Sequence, residues 1–274
     1  MVISADLAIA KPIKNCPPVV RSLKTQKLYC AHELKTLKQN AEEKQAKFLC
    51  FLIRAIIPPN DFFKTNQCFP ESNFSSATGE KIMPRPKGTK TAFTLLKPLG
   101  NMQLTPQPVI AWQPIPNASY RITIEQGGSW LWSHETTATE IKLPRSKSLK
   151  PGKLYKLSAV AFQGEQAISG DVTTLQLVDP QQLRKLNDTV LQAQQVAANP
   201  LDRGLDKAMM LYHLGLFDAA VIELLALTQY QKPAVYSQLG LIYKEVGDKK
   251  IAQGYFDKAS ELANHKPKPL SRAN

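Results

Sequence analysis

The sequence has no uninterrupted apolar run of the roughly 18 to 20 residues that a membrane-spanning helix needs, so we predict no transmembrane segment. Cysteine is scarce, and all four cysteines lie between Cys16 and Cys68. Acidic residues are too few to balance Lys and Arg, and residues 1–90 carry eight of the 13 net positive charges. This uneven distribution predicts a modular chain whose parts differ in character.

Sequence signatures of catalysis are also missing. The four histidines are scattered along the chain and form no H-E-x-x-H pair and no local catalytic Cys/His signature. Gly127-Gly128 is not followed by Gly-Lys-Ser/Thr, which excludes a phosphate-binding loop there. The cysteines include no C-x2-C pair, so we expect no zinc ribbon or knuckle, while disulfides and isolated thiols both stay open. We predict a protein that is not an enzyme and binds no metal or cofactor.

The first third of the chain carries little regular pattern. Apolar residues at three- and four-residue steps between Arg21 and Phe51 predict one helix, although lysines interrupt the stripe. Residues 58–90 are rich in Pro, Asn, Ser and Lys, which is typical of a linker. We therefore expect residues 1–90 to form a poorly ordered, largely irregular leader.

The same region bears on localisation. Met1–Ala10 carries no basic residue ahead of its apolar positions and does not resemble a secretory signal, which favours the cytoplasm. A second interpretation starts from Lys44 and Lys47, which precede the apolar run 48–57 in the order of a signal peptide. If translation starts downstream of Met1, the protein is exported to the periplasm or cell envelope. Otherwise the run is an ordinary buried helix or strand, and both localisations stay open.

Apolar and polar residues alternate with a period of two after Thr91, which is typical of half-buried strands. Gly127-Gly128 separates two such runs and fits a two-residue hairpin turn, in which both central residues need a positive φ. About seven short strands fall within residues 91–179, with turn signals between them. Their number and spacing predict a seven-stranded antiparallel β-sandwich of immunoglobulin-like size.

The run Leu149–Ala161 resembles the L-x-P-G-x-x-Y signature of fibronectin type III domains. Trp112 stands where that family has a buried tryptophan, and Tyr120 stands where it has a tyrosine on the next strand. The resemblance covers residues 92–178. It implies that the ring of Tyr155 packs in the core while its hydroxyl bonds back to the backbone.

After the predicted sandwich the apolar period becomes about 3.6, which predicts helices over residues 180–263. Asp179 and Pro180 suit the N-cap and first turn of the first helix. An internal repeat follows, because the residues around Gly215 match those around Gly247 at a spacing of 32 residues. Each copy predicts a pair of antiparallel helices.

The second copy of this repeat resembles the tetratricopeptide repeat (TPR), and the first copy is a degenerate version of it. In the family, small residues let two helices approach closely and aromatic residues fill the space between neighbours. The residues that carry these roles are Gly240, Tyr243, Ala252 and Phe256. The resemblance also implies a concave groove that binds a partner. Its expected positions are Leu205, Met209, Tyr212, Ser237, Leu241 and Lys244.

One cluster of basic residues lies inside the predicted sandwich, with no acidic residue between its members. It can face an anionic partner, or it can be a solvated strand edge on which lysines discourage edge-to-edge pairing. No motif that reads RNA or DNA accompanies it, so nucleic acid is not the expected partner. The members of this lysine cluster are Lys142, Arg145, Lys147, Lys150, Lys153 and Lys156.

These features predict a multi-domain chain with β structure followed by α structure. Its expected parts are a basic leader and linker (1–90), a fibronectin-III-like sandwich (91–179), a TPR-like helical module (180–263) and a mobile tail (264–274). The expected function is a non-catalytic scaffold that binds an unidentified protein partner through both modules. The alternative is an anion- or nucleic-acid-associated protein that uses the basic N-terminal region and the lysine cluster.

Overall fold

Three β-sheets precede five helices, so the predicted order of β then α structure is confirmed. The computed structural model describes residues 16–37, 39–40, 43–52, 54–59, 61–62, 68, 93–197 and 199–264. Nearly all of the predicted linker (58–90) and tail (264–274) lies outside these residues. None of the helices in the described ranges is long and apolar enough to cross a membrane.

The strands and helices have the following bounds. The strands are β1 Pro18–Ser22, β2 Leu28–Cys30, β3 Phe48–Cys50, β4 Ala55–Ile57, β5 Leu95–Lys97, β6 Met102–Gln103, β7 Val109–Trp112, β8 Ser119–Gln126, β9 Ser129–Thr136, β10 Glu140–Lys142, β11 Leu154–Gln163 and β12 Gln166–Leu177. The helices are a short α1 Leu34–Leu37, then α2 Pro180–Val196, α3 Pro200–His213, α4 Phe217–Ala226, α5 Pro233–Glu245 and α6 Lys249–Asn264.

The first sheet is built from residues predicted to form a helix and an irregular leader. Its strand order is β2-β1-β3-β4, and every pairing is antiparallel. Two disulfides, Cys16–Cys30 and Cys50–Cys68, cross-link this region. The prediction of a poorly ordered leader with one long helix is therefore wrong for the described residues, in which strands replace the predicted helix over residues 21–51 and α1 is only four residues long. The strands are three to five residues long, too short to show a period of two.

A buried carboxylate lies beside β1. Glu43 is fully buried and accepts hydrogen bonds from the hydroxyls of Ser22 (2.5 Å), Thr25 (2.5 Å) and Tyr29 (2.7 Å). These three donors replace the water that the carboxylate loses on burial. The first sheet thus combines a small apolar core with a polar network.

The second and third sheets share one hydrophobic core. Their strand orders are β10-β7-β5 and β6-β12-β11-β8-β9. The predicted count of seven strands is wrong, because β6 is an eighth strand that consists of Met102 and Gln103 and pairs in parallel with β12. A strand of two residues cannot show the alternation on which the sequence prediction depended.

Three aromatic residues anchor the core between these two sheets. Trp112, Tyr120 and Tyr155 are at most 2 % exposed. The Tyr155 hydroxyl accepts a hydrogen bond from the Lys150 N–H at 2.9 Å, which confirms the backbone contact expected of this residue. The Tyr120 hydroxyl accepts from the Ile115 N–H at 2.7 Å and donates to the Ile115 carbonyl at 3.2 Å. Both tyrosines therefore fix a nearby loop while their rings fill the core.

The five helices follow directly on β12. The Asp179 side chain accepts a hydrogen bond from the Gln181 N–H at 2.7 Å, so the predicted N-cap of α2 is confirmed. Helices α3 and α4 form one hairpin, and α5 and α6 form a second. Their turns contain Gly215 and Gly247, with φ of +74° and +89°. Glycine adopts this left-handed conformation without strain, which explains why both copies of the repeat have it at the turn.

The predicted structural residues of the second repeat lie on α5 and α6. A Cβ at Gly240 would come within 2.6 Å of the Phe256 ring, so the predicted close approach of the two helices is confirmed. Ala252 is buried, whereas Tyr243 and Phe256 are half-buried. Tyr243 stacks on Tyr255, with ring centroids 5.5 Å apart.

One hydrophobic core extends from the helices to the first sheet. It contains Leu49 and Phe51 of the N-terminal region together with buried residues from each of the helices α2 to α6. Met102 of β6 packs against the same core, and the Leu99 N–H donates to the Asp218 carboxylate at 3.0 Å. The helices therefore contact both β-regions.

Candidate functional site

The predicted groove positions lie on α3 and α5, but most of their side chains are inaccessible. Leu205, Met209, Ser237 and Leu241 are buried, Tyr212 is half-buried and Lys244 is exposed. A partner could therefore contact few of these side chains without a rearrangement of the helices.

The first sheet packs against α3 next to these positions. Arg21 of β1 is 1 % exposed, and its Nε donates to the Asp206 carboxylate at 2.5 Å. Its Nη1 donates to Asp202, one turn earlier on the same helix, at 3.1 Å. His213 at the end of α3 lies 2.8 Å from the carbonyl oxygen of Pro18. The face of α3 that borders the predicted groove is thus occupied by this chain's own N-terminal sheet.

This buried ion pair could not be predicted from sequence, because Arg21 and Asp206 are 185 residues apart and neither stands in a motif. Burial raises the pKa of Asp206 to about 6, although the Arg21 guanidinium acts in the opposite direction. Burial also lowers the pKa of His213. Since both members of the pair are almost fully buried, they hold the first sheet on α3 and offer no surface to a ligand.

All six members of the lysine cluster are exposed. Lys142 lies on β10, and Arg145 and Lys147 lie on the helical turn Arg145–Lys147. Lys150 and Lys153 lie in the loop before β11, and Lys156 lies on β11. Lys156 forms an ion pair with Glu125 of β8 at 3.4 Å. Because β10 is an edge strand, Lys142 stands where a lysine discourages edge-to-edge pairing. Both interpretations of the cluster, an anion-binding patch and a protected edge, are compatible with these positions.

A more unusual surface is the edge formed by β9, the last strand of the third sheet. Trp130 is 70 % exposed, the highest value among the large apolar side chains of the described residues. Trp132 is half-buried and stacks on His134, with ring centroids 5.7 Å apart and an interplanar angle of 4°. The register shifts between Trp130 and Trp132, so the two tryptophans differ in burial. Sequence alternation alone did not predict this difference.

The hairpin turn before β9 fixes the strand at this edge. Gly127 and Gly128 have φ of +58° and +80°, so the predicted two-residue turn is confirmed. Gln126 pairs with Ser129 across the turn, and β9 then runs antiparallel to β8. Among the residues that the structure describes, no strand pairs with the outer side of β9. Its outward N–H and C=O groups therefore have no strand partner.

One group in the described part of the chain has the spacing of a metal site, namely Cys16, Cys30 and His32. The two sulfurs form a disulfide, so neither offers the thiolate that binds a metal. His32 is left as a single ligand. In this oxidised form the group is a cross-link.

A scan of the chain against protein-family models and a search of curated proteins found no match.

Proposed function

We propose that the protein is a non-catalytic scaffold that binds a partner protein through the outer edge of β9. The observation that carries the proposal is Trp130, a large apolar side chain that is 70 % exposed on an edge strand. Tryptophan is enriched among the few residues that dominate the binding energy of protein interfaces. A partner that buries this ring gains hydrophobic free energy that the isolated chain does not obtain.

The chemistry of an edge strand defines the kind of partner. Its outward N–H and C=O groups form hydrogen bonds with an extended segment of another chain, which then adds a strand to the sheet. Trp130 and the stacked pair of Trp132 and His134 supply side-chain contacts beside that ladder. Lysine and proline, which protect many edges from such pairing, are absent from Ser129–Thr136. The expected ligand is therefore an extended segment of a second protein.

The other parts of the chain have supporting roles in this proposal. The fibronectin-III-like sheets carry the binding edge, and the TPR-like helices join them to the first sheet. Because Leu205 and Met209 are buried, the predicted groove contributes little at α3. We therefore place the binding surface on β9 of the third sheet and not in the groove predicted on the helices.

The disulfides favour a location outside the cytoplasm. All four cysteines are oxidised in two disulfides. Such bonds form and persist in oxidising compartments, including the bacterial periplasm, and are rare in the cytosol. We therefore favour the periplasmic or cell-envelope alternative, and we expect the partner to be found there.

Affinity capture with the full chain tests the proposal. Ile222 is a matched control for Trp130, because it is 67 % exposed but lies on α4. We expect the wild type and Ile222→Ala to retain the same protein, and Trp130→Ala to bind it at least about tenfold more weakly. A partner that all three proteins retain equally would contradict the proposal.

The lysine cluster supports the alternative function, binding of an anionic partner, because its side chains are exposed. In that case binding falls steeply with salt concentration. It also disappears in Lys150→Glu/Lys153→Glu and is unchanged in Trp130→Ala. This pattern would replace the β9 proposal with the anion-binding one.

A further inference from the structure

A cleft of about 490 Å³ lies between β4 and α2, away from both surfaces discussed above. Arg54 lines it from the turn that precedes β4, and Arg184, Lys185 and Asp188 line it from α2. Three cations therefore share the cleft with one carboxylate. Its volume lies in the range of roughly 300 to 1,000 Å³ that is typical of small-molecule sites. Size and charge together indicate a small anionic ligand.

The backbone of Arg54 is held at the wall of this cleft. Arg54 ends the turn between β3 and β4 and has a φ of +52°, a conformation in which glycine and asparagine are favoured. The Thr189 hydroxyl lies 2.5 Å from the Arg54 carbonyl oxygen and 2.9 Å from the Lys185 carbonyl oxygen, so its single proton is shared between them. This contact ties the turn to α2. The Thr189 hydrogen bond therefore fixes the backbone of Arg54 at the cleft in the absence of a ligand.

Among the described residues, no carboxylate is paired with the Arg54 guanidinium, although Asp188 lines the same cleft. Its Nε is buried without a hydrogen-bond partner, and within the described residues its side chain has only a long contact of 3.5 Å from Nη1 to the Leu52 carbonyl. Burial lowers the pKa of Arg54, and no carboxylate opposes this shift. The pKa of His213 is lowered by burial first and further by the Arg54 charge. A half-buried cation without a paired carboxylate is unfavourable, and an anion in the cleft supplies the missing counter-charge.

We propose that the cleft binds the phosphate group of a small molecule or of a lipid headgroup, with Arg54 as the central donor. A guanidinium presents several N–H donors in a planar fork that matches the oxygens of a phosphate. Arg184 and Lys185 add positive charge from α2, and Gln181 and Gln192 offer amide groups to the remainder of the ligand. The site is independent of the partner-binding edge at β9.

Titration calorimetry of the full chain with inorganic phosphate tests the site. Arg54→Gly is the informative variant, because glycine adopts the positive φ of this position without strain, and we therefore expect the fold to be retained. We expect Arg54→Gly to bind phosphate about tenfold to a hundredfold more weakly. Its melting temperature in phosphate-free buffer should equal or exceed that of the wild type. Arg145→Ala, in the exposed lysine cluster, is the matched control and should bind as the wild type does.

Vesicle co-sedimentation separates the two sources of the phosphate group. Vesicles of phosphatidylglycerol and of phosphatidylcholine are compared with the wild type, Arg54→Gly and Arg54→Lys. Binding to phosphatidylglycerol that Arg54→Gly loses and Arg54→Lys partly restores supports a lipid headgroup, whereas binding of free phosphate alone supports a soluble ligand. Equal binding by the wild type and Arg54→Gly, or no binding of either probe by the wild type, overturns the proposal.

Discussion

The first sheet and the larger pair formed by the second and third sheets are both mainly antiparallel, yet different interactions stabilise them. The first sheet has strands of three to five residues, two disulfides and the buried charged residues Arg21 and Glu43. The larger pair has strands of up to 12 residues around a core of apolar and aromatic side chains, and it contains no cysteine. A short sheet buries too little apolar surface by itself, so cross-links, polar networks and docking on the helices supplement its core.

Among the substitutions considered, Arg21→Leu should lower the unfolding free energy the most. The substitution leaves Asp206 buried without its closest cation, which costs about 3 to 5 kcal/mol of unfolding free energy. Arg121 of β8 is the matched control, because it pairs with Glu135 at 2.7 Å on an exposed surface. Arg121→Ala should cost at most about 1 kcal/mol. Urea unfolding followed by circular dichroism gives both values, and similar losses would show that burial of the pair is unimportant.

Removal of a disulfide should have the next largest effect. The cysteines of Cys16–Cys30 are 14 positions apart, and closing a loop of that size contributes about 3 kcal/mol in the chain-entropy model. In Cys16→Ser/Cys30→Ser, amide hydrogen exchange should accelerate in β1 and β2 and stay unchanged in β11 and β12. Equal acceleration in both regions would mean that they unfold as one unit.

Removal of one tyrosine hydroxyl from each region gives a smaller, paired test. Tyr29→Phe takes a donor from the buried Glu43 carboxylate and should cost about 1.5 to 3 kcal/mol. Tyr155→Phe takes an acceptor from the Lys150 N–H and should cost about 0.5 to 1.5 kcal/mol. Urea unfolding measures both. A larger loss of unfolding free energy in Tyr155→Phe than in Tyr29→Phe would contradict the view that polar hydrogen bonds contribute more to the first sheet than to the other two.

Acidification should produce the smallest change in the unfolding free energy. Burial raises the pKa of Asp206 from 3.8 to about 6, so the folded state binds a proton more tightly than the unfolded chain does. The resulting stabilisation is complete below a pH of about 3.8 and is lost as the pH rises through about 6. From about pH 7 to about pH 5 the wild type should gain about 1 kcal/mol relative to Asp206→Asn. Urea unfolding of both proteins at the two pH values checks this, and an unchanged difference would contradict it.

Local signals in the sequence predicted several elements correctly. Gly127-Gly128 indicated a hairpin turn because few other residues tolerate two consecutive positive φ values. Asp179 indicated a helix start because its side chain can accept from a free N–H in the first turn. Each of these features depends on residues that are close together in the chain.

Features that depend on distant residues could not be predicted in this way. The contact of Arg21 with Asp206 and that of Thr189 with Arg54 join residues separated by 185 and 135 positions. They form only when the first sheet docks on the helices. Leu205 is buried in the hydrophobic core that also contains Leu49 and Phe51 of the N-terminal region, so its burial also depends on residues distant in the chain. The exposed edge at β9 depends on the strand order, which alternation does not specify.

Hydrogen exchange of the full chain, with and without the captured partner, tests most directly whether β9 receives an added strand. We expect slower exchange at the backbone amides of Ser129–Thr136, because new inter-strand hydrogen bonds protect them. The edge strand β10 of the second sheet is the internal reference and should exchange at the same rate in both samples. Slower exchange in α3 and α5, with β9 unchanged, would contradict the proposal and place the partner in the helical groove.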